Sequence, residues 1–99
     1  MTISADGFDW DVGNRSKCQK HGVSIAEIGA LLWSDPHVAP DPKHSANEPR
    51  LIAVGRNSRG RPMFVAFTFR RKDGMRFIPP ISARYMHEQE IEGYEKEGP

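Results

Sequence analysis

The pattern of apolar and polar residues changes from a helical to an alternating period near the middle of the chain. In the first half, aliphatic residues three or four positions apart within 25–32 mark one face of a helix. Ser24 and Glu27 form the S-x-x-E capping box that begins such a helix. We expect the helix to end near Ser34, because Pro36 keeps the residue before it out of the helical conformation.

The segment before this helix predicts a brief strand at 8–10 and a short polar helix from Asp11 to Lys20. The charge of Asp11 favours the N-terminus of a helix. Gly22 is expected at C′, where its left-handed conformation closes the helix. Lys20 and His21 therefore lie at a hinge between two predicted helices.

The second half of the chain predicts an antiparallel meander followed by a helix. Three β-rich runs cover 50–57, 61–71 and 75–83, and turn residues separate them at 58–60 and 72–74. A pair of prolines in the third run favours an edge strand or a bend. The remaining expectations are a loop with one extended piece over 36–49 and a glutamate-rich closing helix over 87–96.

The middle β-rich run alternates between two faces, and its more apolar face is the expected core face. The opposite face is expected to form an open surface with basic residues at its margin. The order of two helices, a meander and a helix predicts an α+β sandwich of two layers. The expected core face holds Met63, Val65, Phe67 and Phe69, and the opposite face holds Phe64, Ala66, Thr68 and Arg70.

Length and composition predict one small soluble protein. A chain of 99 residues is expected to form a single domain over 1–99 with one modest core. No apolar run approaches the roughly 20 residues of a membrane span, and no signal peptide is recognisable. The lone Cys18 excludes an internal disulfide and fits a reducing cytoplasm.

Charge is segregated along the chain, although the net charge is only +1. Residues 1–49 have a net charge of −3, and residues 85–99 have −4. Residues 50–84 carry eight arginines and one lysine against one aspartate, a net charge of +8. Arginine binds phosphate oxygens in pairs, so this segment predicts a polyanion or an acidic partner. A compatible alternative is that the acidic C-terminal segment folds back and neutralises it.

Several other kinds of site are less favoured. Asp35, His37, Asp41 and His44 are potential metal ligands, but their spacing matches no compact motif. A polar surface loop is the preferred interpretation, and we expect no metal or cofactor. Cys18 is expected to pack inside its helix rather than act as a nucleophile. The sequence holds no phosphate-binding glycine loop, dinucleotide fingerprint or nucleophile elbow.

The remaining polar residues fit the cleavage of RNA without a metal ion. That reaction needs a base for the ribose 2′-hydroxyl, cations for the anionic phosphorane and an acid for the leaving 5′-oxygen. Glu48 or His21 is the candidate base, and Lys20 or His21 is the candidate acid. The same residues would also suit a protein that only binds nucleic acid.

A series of short motifs resembles the BrnT family, the ribonuclease toxins of bacterial type II toxin–antitoxin systems. The motifs extend from Phe8 to about Glu95. In order they are FDWD, QKHGVS before an amphipathic helix, DP, the E-x-R pair, VGRNSRGR, ISAR and a closing helix with YE. Each motif is weak by itself, but their order and spacing together are specific.

The resemblance implies a RelE-like microbial ribonuclease fold, in which a small antiparallel sheet has helices on one side. It implies a metal-independent endoribonuclease that inhibits translation. It also implies a partner, a BrnA antitoxin of the ribbon-helix-helix class. That antitoxin neutralises the toxin in a complex of two toxins and two antitoxins and, with it, represses their operon by binding operator DNA.

The resemblance also assigns functional residues to the matching positions of this chain. It places Lys20 and His21 in the K-H-G motif, Glu48 and Arg50 in E-x-R, Arg61 in G-R and Arg84 in ISAR. We expect Lys20, His21, Glu48, Arg50 and Arg84 to be catalytic and Arg61 to bind RNA. The charge pattern adds Arg56, Arg70 and Arg76 as RNA-binding candidates.

One position departs from the family pattern. Relatives are expected to carry a basic residue shortly before ISAR, where this chain has Pro79. The missing cation is consistent with a weakened enzyme, with a substitution made to allow expression, or with a harmless variation that Arg76 compensates. Two other classes of function stay open: a non-catalytic module that binds an antitoxin as a co-repressor, and a general nucleic-acid-binding protein whose affinity falls steeply with salt.

Overall fold

The computed structural model describes residues 2–44 and 48–96, which form three helices and two β-sheets of the predicted α+β class. No helix in these ranges is long and apolar enough to cross a membrane. The helices are α1 (Val12–Gln19), α2 (Ile25–Leu32) and α3 (Glu88–Lys96), with a 3-10 turn at Pro42–His44. The strands are β1 (Gly7–Phe8), β2 (His37–Pro40), β3 (Leu51–Arg56), β4 (Pro62–Phe67), β5 (Arg70–Lys72), β6 (Met75–Ile78) and β7 (Pro80–Tyr85).

The strands form two sheets rather than the single meander that the sequence predicts. The larger sheet is antiparallel with the order β2-β3-β4-β7, and the smaller has the order β1-β6-β5. In the smaller sheet β1 runs parallel to β6, with Gly7 opposite Phe77 and Phe8 opposite Ile78. The β5–β6 hairpin turns at Asp73 and Gly74, whose φ angles of 53° and 77° are those of the tight turn that D-G predicts.

Two of the predicted β-rich runs are each divided between the two sheets. The register of β4 slips between Ala66 and Phe67, and β4 ends there, so the rest of the run becomes β5. The third run switches sheets at Pro79, which has no N–H for a strand ladder and separates β6 from β7. The predicted bend and the predicted edge strand are both present, because β7 is an edge of the larger sheet.

The N-terminal helices begin as the sequence predicts. Asp11 caps α1, and its side chain and that of Asn14 each accept the backbone N–H of the other residue. Ser24 and Glu27 form the predicted capping box of α2. Gly22 takes the left-handed φ of 89° and donates its N–H to the Gln19 carbonyl. Because Lys20 is the C-cap, Gly22 lies at C″, one position after the predicted C′.

The core lies between one face of the larger sheet and helices α1 and α2. Met63, Val65 and Phe67 are fully buried on the predicted core face, and Phe69 packs against them from outside the strand. The expected exposure of Thr68 is wrong: it is buried just after the slip in register, where its hydroxyl donates to the Pro49 carbonyl. The opposite face of β3, β4 and β7, which we call the open face, carries the candidate site.

Candidate functional site

A cavity of about 350 Å³ lies on the open face of the larger sheet. Its floor is apolar and its walls are charged. The polar and charged side chains come from three separate parts of the chain: the hinge after α1, the loop after β2, and the strands with the residue that precedes β3. The residues that line the cavity are His21, Asp41, Arg50, Ile52, Phe64, Ala66, Ser82, Ala83 and Arg84.

Strand register explains why these residues meet. Residues that pair across neighbouring antiparallel strands share a face. One such row crosses three strands as Ile52, Ala66 and Ser82, and the next row contains Phe64 and Arg84. Arg50 precedes β3 with the same alternation as Ile52 and therefore reaches the same face. The open face with basic residues at its margin, which the alternation predicts, is present.

The hinge delivers His21 but not Lys20 to this cavity. Helix α1 packs along β7, so its C-terminal end lies beside the strand that carries Ser82 and Arg84. His21 follows the C-cap and lines the cavity. Lys20, the C-cap itself, is exposed and lines neither this cavity nor the second one beside it. His21 is thus the better placed of the two for chemistry in this cavity.

Arg84 is held by an acidic residue of α3 and by an aromatic ring. Its guanidinium donates to both carboxylate oxygens of Glu90, each at 2.8 Å, and its Cζ lies 4.6 Å from the centroid of the Phe64 ring. The hydrogen bonds from Arg84, with that from the His87 backbone N–H, lower the pKa of Glu90 to about 2. The predicted neutralisation of the basic segment by the acidic C-terminal segment therefore occurs at this arginine.

Glu48 lies in a neighbouring cavity of about 200 Å³ and not in the first one. Its carboxylate is 3.5 Å from Arg70, which is also 3.6 Å from Asp9. Lys17 and Pro79 line the same cavity. The position where relatives are expected to carry a cation therefore faces Arg70 and Lys17.

The two cavities follow each other along β7. The smaller one takes Pro79, Pro80 and Ile81, and the larger one takes Ser82 to Arg84. At about 3.3 Å per residue, this stretch of strand measures roughly 17 Å. The structure thus brings His21, Arg50 and Arg84 together in the larger cavity, and Glu48 and Arg70 line the smaller cavity beside the start of the same strand.

The other three predicted arginines lie elsewhere. Arg56, at the end of β3, stacks on Tyr94 and lies 3.4 Å from Glu95 of α3. The guanidinium of Arg61 lies 3.7 Å from the centroid of the Tyr85 ring, whose hydroxyl points to α2. Arg76 stacks on Phe69 at 3.6 Å in the smaller sheet, so the structure does not bring it to the position of Pro79.

Sequence reasoning missed the roles of two further residues, Asp41 and Asn57. Asp41 lines the larger cavity, although the sequence placed it only in a possible metal loop. Asn57 accepts the backbone N–H groups of Arg59 and Arg61 and donates to Glu27, so it fixes the β3–β4 turn against α2. An asparagine before Ser58-Arg59-Gly60 is a turn signal, but that local pattern does not predict the contact with Glu27.

Other residues considered from the sequence are less suited to bind a metal ion or to act as a nucleophile. Within the described ranges, no three histidine, cysteine, aspartate or glutamate side chains cluster to hold a metal ion. His44, part of the possible metal loop, has a side chain outside the described part. Cys18 is fully buried in the core as expected, and burial raises its pKa to about 11 against the opposing effect of Lys17.

Comparison with known proteins agrees with the resemblance seen in the motifs. A search among curated proteins found no match to this chain. The sequence model of one protein family matches residues 10–90, which include the hinge, both cavities and the start of α3. That family is described as the ribonuclease toxin, BrnT, of type II toxin–antitoxin systems. The chain belongs to the BrnT family of ribonuclease toxins.

Proposed function

We propose that this chain is a metal-independent endoribonuclease that cleaves RNA in the larger cavity of the open face and thereby inhibits translation. The observation that carries the proposal is the convergence of His21, Arg50 and Arg84 on one cavity. Two guanidiniums at an apolar floor provide a site for a phosphate, and an imidazole can transfer protons near neutral pH. The family assignment supplies the reaction class, because its members are ribonuclease toxins.

The proposed reaction is attack of a ribose 2′-oxygen on the adjacent phosphorus. The base removes the 2′-hydroxyl proton, the P–O5′ bond breaks, and the acid protonates the leaving 5′-oxygen. The products are a 2′,3′-cyclic phosphate and a free 5′-hydroxyl. Arg50 and Arg84 stabilise the extra negative charge of the phosphorane, an effect that is often the largest contribution to catalysis.

His21 is the proton-transfer group that we favour. Of the three groups expected from the sequence, it alone lines the larger cavity, whereas Glu48 lies next to it with Arg70. Asp41 supplies a second titratable group in the same cavity. We place Glu48, Arg70 and Lys17 along the path of the neighbouring nucleotide rather than at the scissile phosphate.

The proposal also covers the cellular setting that the family implies. We infer that the protein acts in the cytoplasm and has the RelE-like fold expected of such toxins. Its antitoxin is of the BrnA ribbon-helix-helix class, forms a complex of two toxins with two antitoxins, and joins the toxin in repressing their operon. Co-purification with the product of a neighbouring short gene, followed by measurement of the mass of the complex, tests this part.

Incubation of the purified protein with RNA in the presence of EDTA tests the catalytic proposal. We expect fragments that end in a 2′,3′-cyclic phosphate, and a loss of cleavage in Arg50→Ala. Arg71→Ala is the matched control, because Arg71 is exposed on β5 of the smaller sheet and lines neither cavity. Equal cleavage by the two variants would place the chemistry elsewhere.

The alternative function is a non-catalytic module that binds an antitoxin or nucleic acid. Intact RNA at high protein concentration, together with salt-dependent RNA binding, would favour it. A Pro79→Arg variant distinguishes a weakened enzyme from a pure binding module. Restored cleavage in that variant would retain the catalytic site and show that the missing cation limits it.

A further inference from the structure

Helix α3 lies against the open face through contacts to two arginines. Glu90 pairs with Arg84 through two hydrogen bonds, and Glu95 lies 3.4 Å from Arg56. Tyr94 stacks on the same Arg56 at 5.3 Å. None of the described residues of α3 is buried, so the helix does not belong to the core.

The surface that α3 contacts is an extension of the proposed RNA site. Phe64 and Arg84 pair across β4 and β7 and both line the larger cavity. Arg56 stands on the same face of β3 as Ile52, four residues further along the strand. A face that combines arginines with an aromatic ring is typical of surfaces that bind single-stranded nucleic acid.

The Glu90 carboxylate imitates a phosphate group. A carboxylate and a phosphodiester both present two acceptor oxygens to the parallel N–H groups of a guanidinium. Because Glu90 takes two such donors of Arg84, at 2.8 Å each, these donors are not available to an RNA phosphate while the pair persists. Bidentate phosphate binding through these two Nη donors of Arg84 therefore requires this ion pair to open.

The contacts that hold α3 are of a kind that a polyanion can replace. The side chains of Arg84 and Glu90 are 39% and 32% exposed, and those of Arg56 and Glu95 are 40% and 58% exposed. Ion pairs this accessible to water contribute little to stability and are screened by salt. An RNA strand carries several phosphates, and these can bind Arg84 and Arg56 in place of the carboxylates of Glu90 and Glu95.

We propose that α3 occupies part of the RNA path, with Glu90 in the place that an RNA phosphate takes on Arg84, and that single-stranded RNA displaces the helix on binding. The inference rests on the proposed function, since it assumes that Arg84 binds RNA. It adds that the free protein is partly self-inhibited. The acidic C-terminal segment then lowers affinity for all RNA and demands a strand long enough to compete with the helix.

Binding of an uncleavable probe tests the inference separately from catalysis. The probe is a fluorescein-labelled single-stranded oligonucleotide with 2′-deoxyribose throughout, which has the phosphates but lacks the attacking hydroxyl. We expect Glu90→Gln to bind it about threefold to tenfold more tightly than wild type at low salt. Glu92→Gln is the matched control, because Glu92 is an exposed residue of the same helix and its substitution changes the net charge equally.

Two further measurements separate displacement of the helix from a general charge effect. In an Arg84→Gln background, Glu90→Gln should give no additional affinity, as a double-mutant cycle requires for a specific pair. A glutamate-specific protease should cut wild-type α3 after Glu92 and Glu95 faster when the oligonucleotide is present. Thermal unfolding of each variant identifies any that fails to fold.

The outcomes distinguish this inference from the proposed function. Equal oligonucleotide affinity of Glu90→Gln and Glu92→Gln, or slower proteolysis of α3 with the oligonucleotide bound, would overturn the displacement of α3. Absence of RNA cleavage by every variant, even where Glu90→Gln binds the oligonucleotide more tightly, would overturn catalysis and leave the displacement intact.

Discussion

The hydroxyl of Tyr85 lies 2.7 Å and 3.0 Å from the two carboxylate oxygens of Glu27, and this contact joins the end of β7 to the first turn of α2. The Glu27 carboxylate also accepts from Asn57 and from the Ser24 backbone N–H. One side chain thus connects the capping box, the β3–β4 turn and the last strand of the larger sheet. Tyr85 in turn supports the guanidinium of Arg61 on its ring.

Removal of the Tyr85 hydroxyl should destabilise the protein without changing the shape of the side chain. Tyr85→Phe deletes a hydrogen bond to a charged group, for which we expect a loss of about 1–3 kcal/mol in the free energy of unfolding. Urea titration measures this loss. Tyr94→Phe is the control, because Tyr94 contacts Arg56 through its ring, and it should change stability by less than about 0.5 kcal/mol. An equal loss of unfolding free energy in the two variants would contradict a stabilising role for the hydrogen bond between Tyr85 and Glu27.

Stability should fall in acid between about pH 4.5 and pH 2. Burial opposes ionisation of Glu27, but hydrogen bonds from Asn57, Ser24 and Tyr85 outweigh it and lower its pKa from 4.5 to about 2. A carboxylate with a lowered pKa in the folded state contributes stability that is complete above its unfolded pKa. That contribution is lost as the pH falls through the folded pKa.

Glu27→Gln should flatten this part of the stability curve. The variant has no carboxylate to protonate at this position, so its free energy of unfolding should change less between pH 4.5 and pH 2 than that of wild type. Glu90 has a similarly lowered pKa through Arg84 and the His87 backbone, so some pH dependence should remain. An unchanged slope in Glu27→Gln would contradict the lowered pKa.

Gly55 should not tolerate even one additional carbon. A Cβ built at this position of β3 would lie 2.6 Å from Cδ1 of the buried Leu31 in α2, so the Leu31 side chain or the helix must shift to admit it. Gly55→Ala is expected to cost about 1–3 kcal/mol of unfolding free energy through overpacking. A Cβ at Gly93 in α3 meets nothing within 4 Å, and Gly93→Ala should stabilise the helix by roughly 0.5–1 kcal/mol.

The lone cysteine reports the opening of the core. Cys18 is 0% exposed and burial raises its pKa to about 11, while reaction with thiol reagents requires an accessible thiolate. We expect the folded protein to react far more slowly than the urea-unfolded protein in a thiol-labelling assay. Gly55→Ala should accelerate the labelling, because it loosens the core that covers the thiol. Rapid labelling of the native wild type would contradict the buried position.

His21 should set the pH dependence of RNA cleavage if it transfers the proton. Loss of a general acid or base reduces rates by about 10²–10⁴-fold, so His21→Gln should lower kcat by that order while leaving affinity for an uncleavable oligonucleotide nearly unchanged. The pH–rate profile of the residual activity should lose the limb due to His21. Lys20→Gln is the control, since Lys20 lines neither the larger nor the smaller cavity.

The sequence predicts local features of this fold better than the grouping of strands into sheets. The capping box of Ser24 and Glu27 and the Asp73-Gly74 turn depend on neighbours in the chain and were predicted correctly. The two sheets depend on the parallel pairing of β1 with β6, a contact between distant segments that no local pattern indicates. Thr68 was misplaced because a slip in register changes which face a residue occupies.

The candidate site shows the same division. His21 was selected first for its chemistry at the hinge, and Arg50 and Arg84 from motif resemblance; the chain brings all three to one cavity by strand register and by the direction of α1. Glu48 was selected with them, yet its ion pair with Arg70 places it in the next cavity. The pairing of Arg84 with Glu90 follows from the overall charge segregation, but the choice of partner within a glutamate-rich helix depends on geometry that composition does not contain.

The parallel pairing of β1 with β6 has a consequence for the synthesis of the chain. Gly7 and Phe8 find their partners only when Phe77 and Ile78 have emerged from the ribosome, and Arg84 follows six residues after Ile78. Strand β6, which pairs with β1, and Arg84, the last arginine of the larger cavity, are therefore synthesised almost at the same time. A nascent chain that stops before β7 lacks both Ala83, a member of the core, and Arg84, so it completes neither its core nor the proposed phosphate site until β7 has been made.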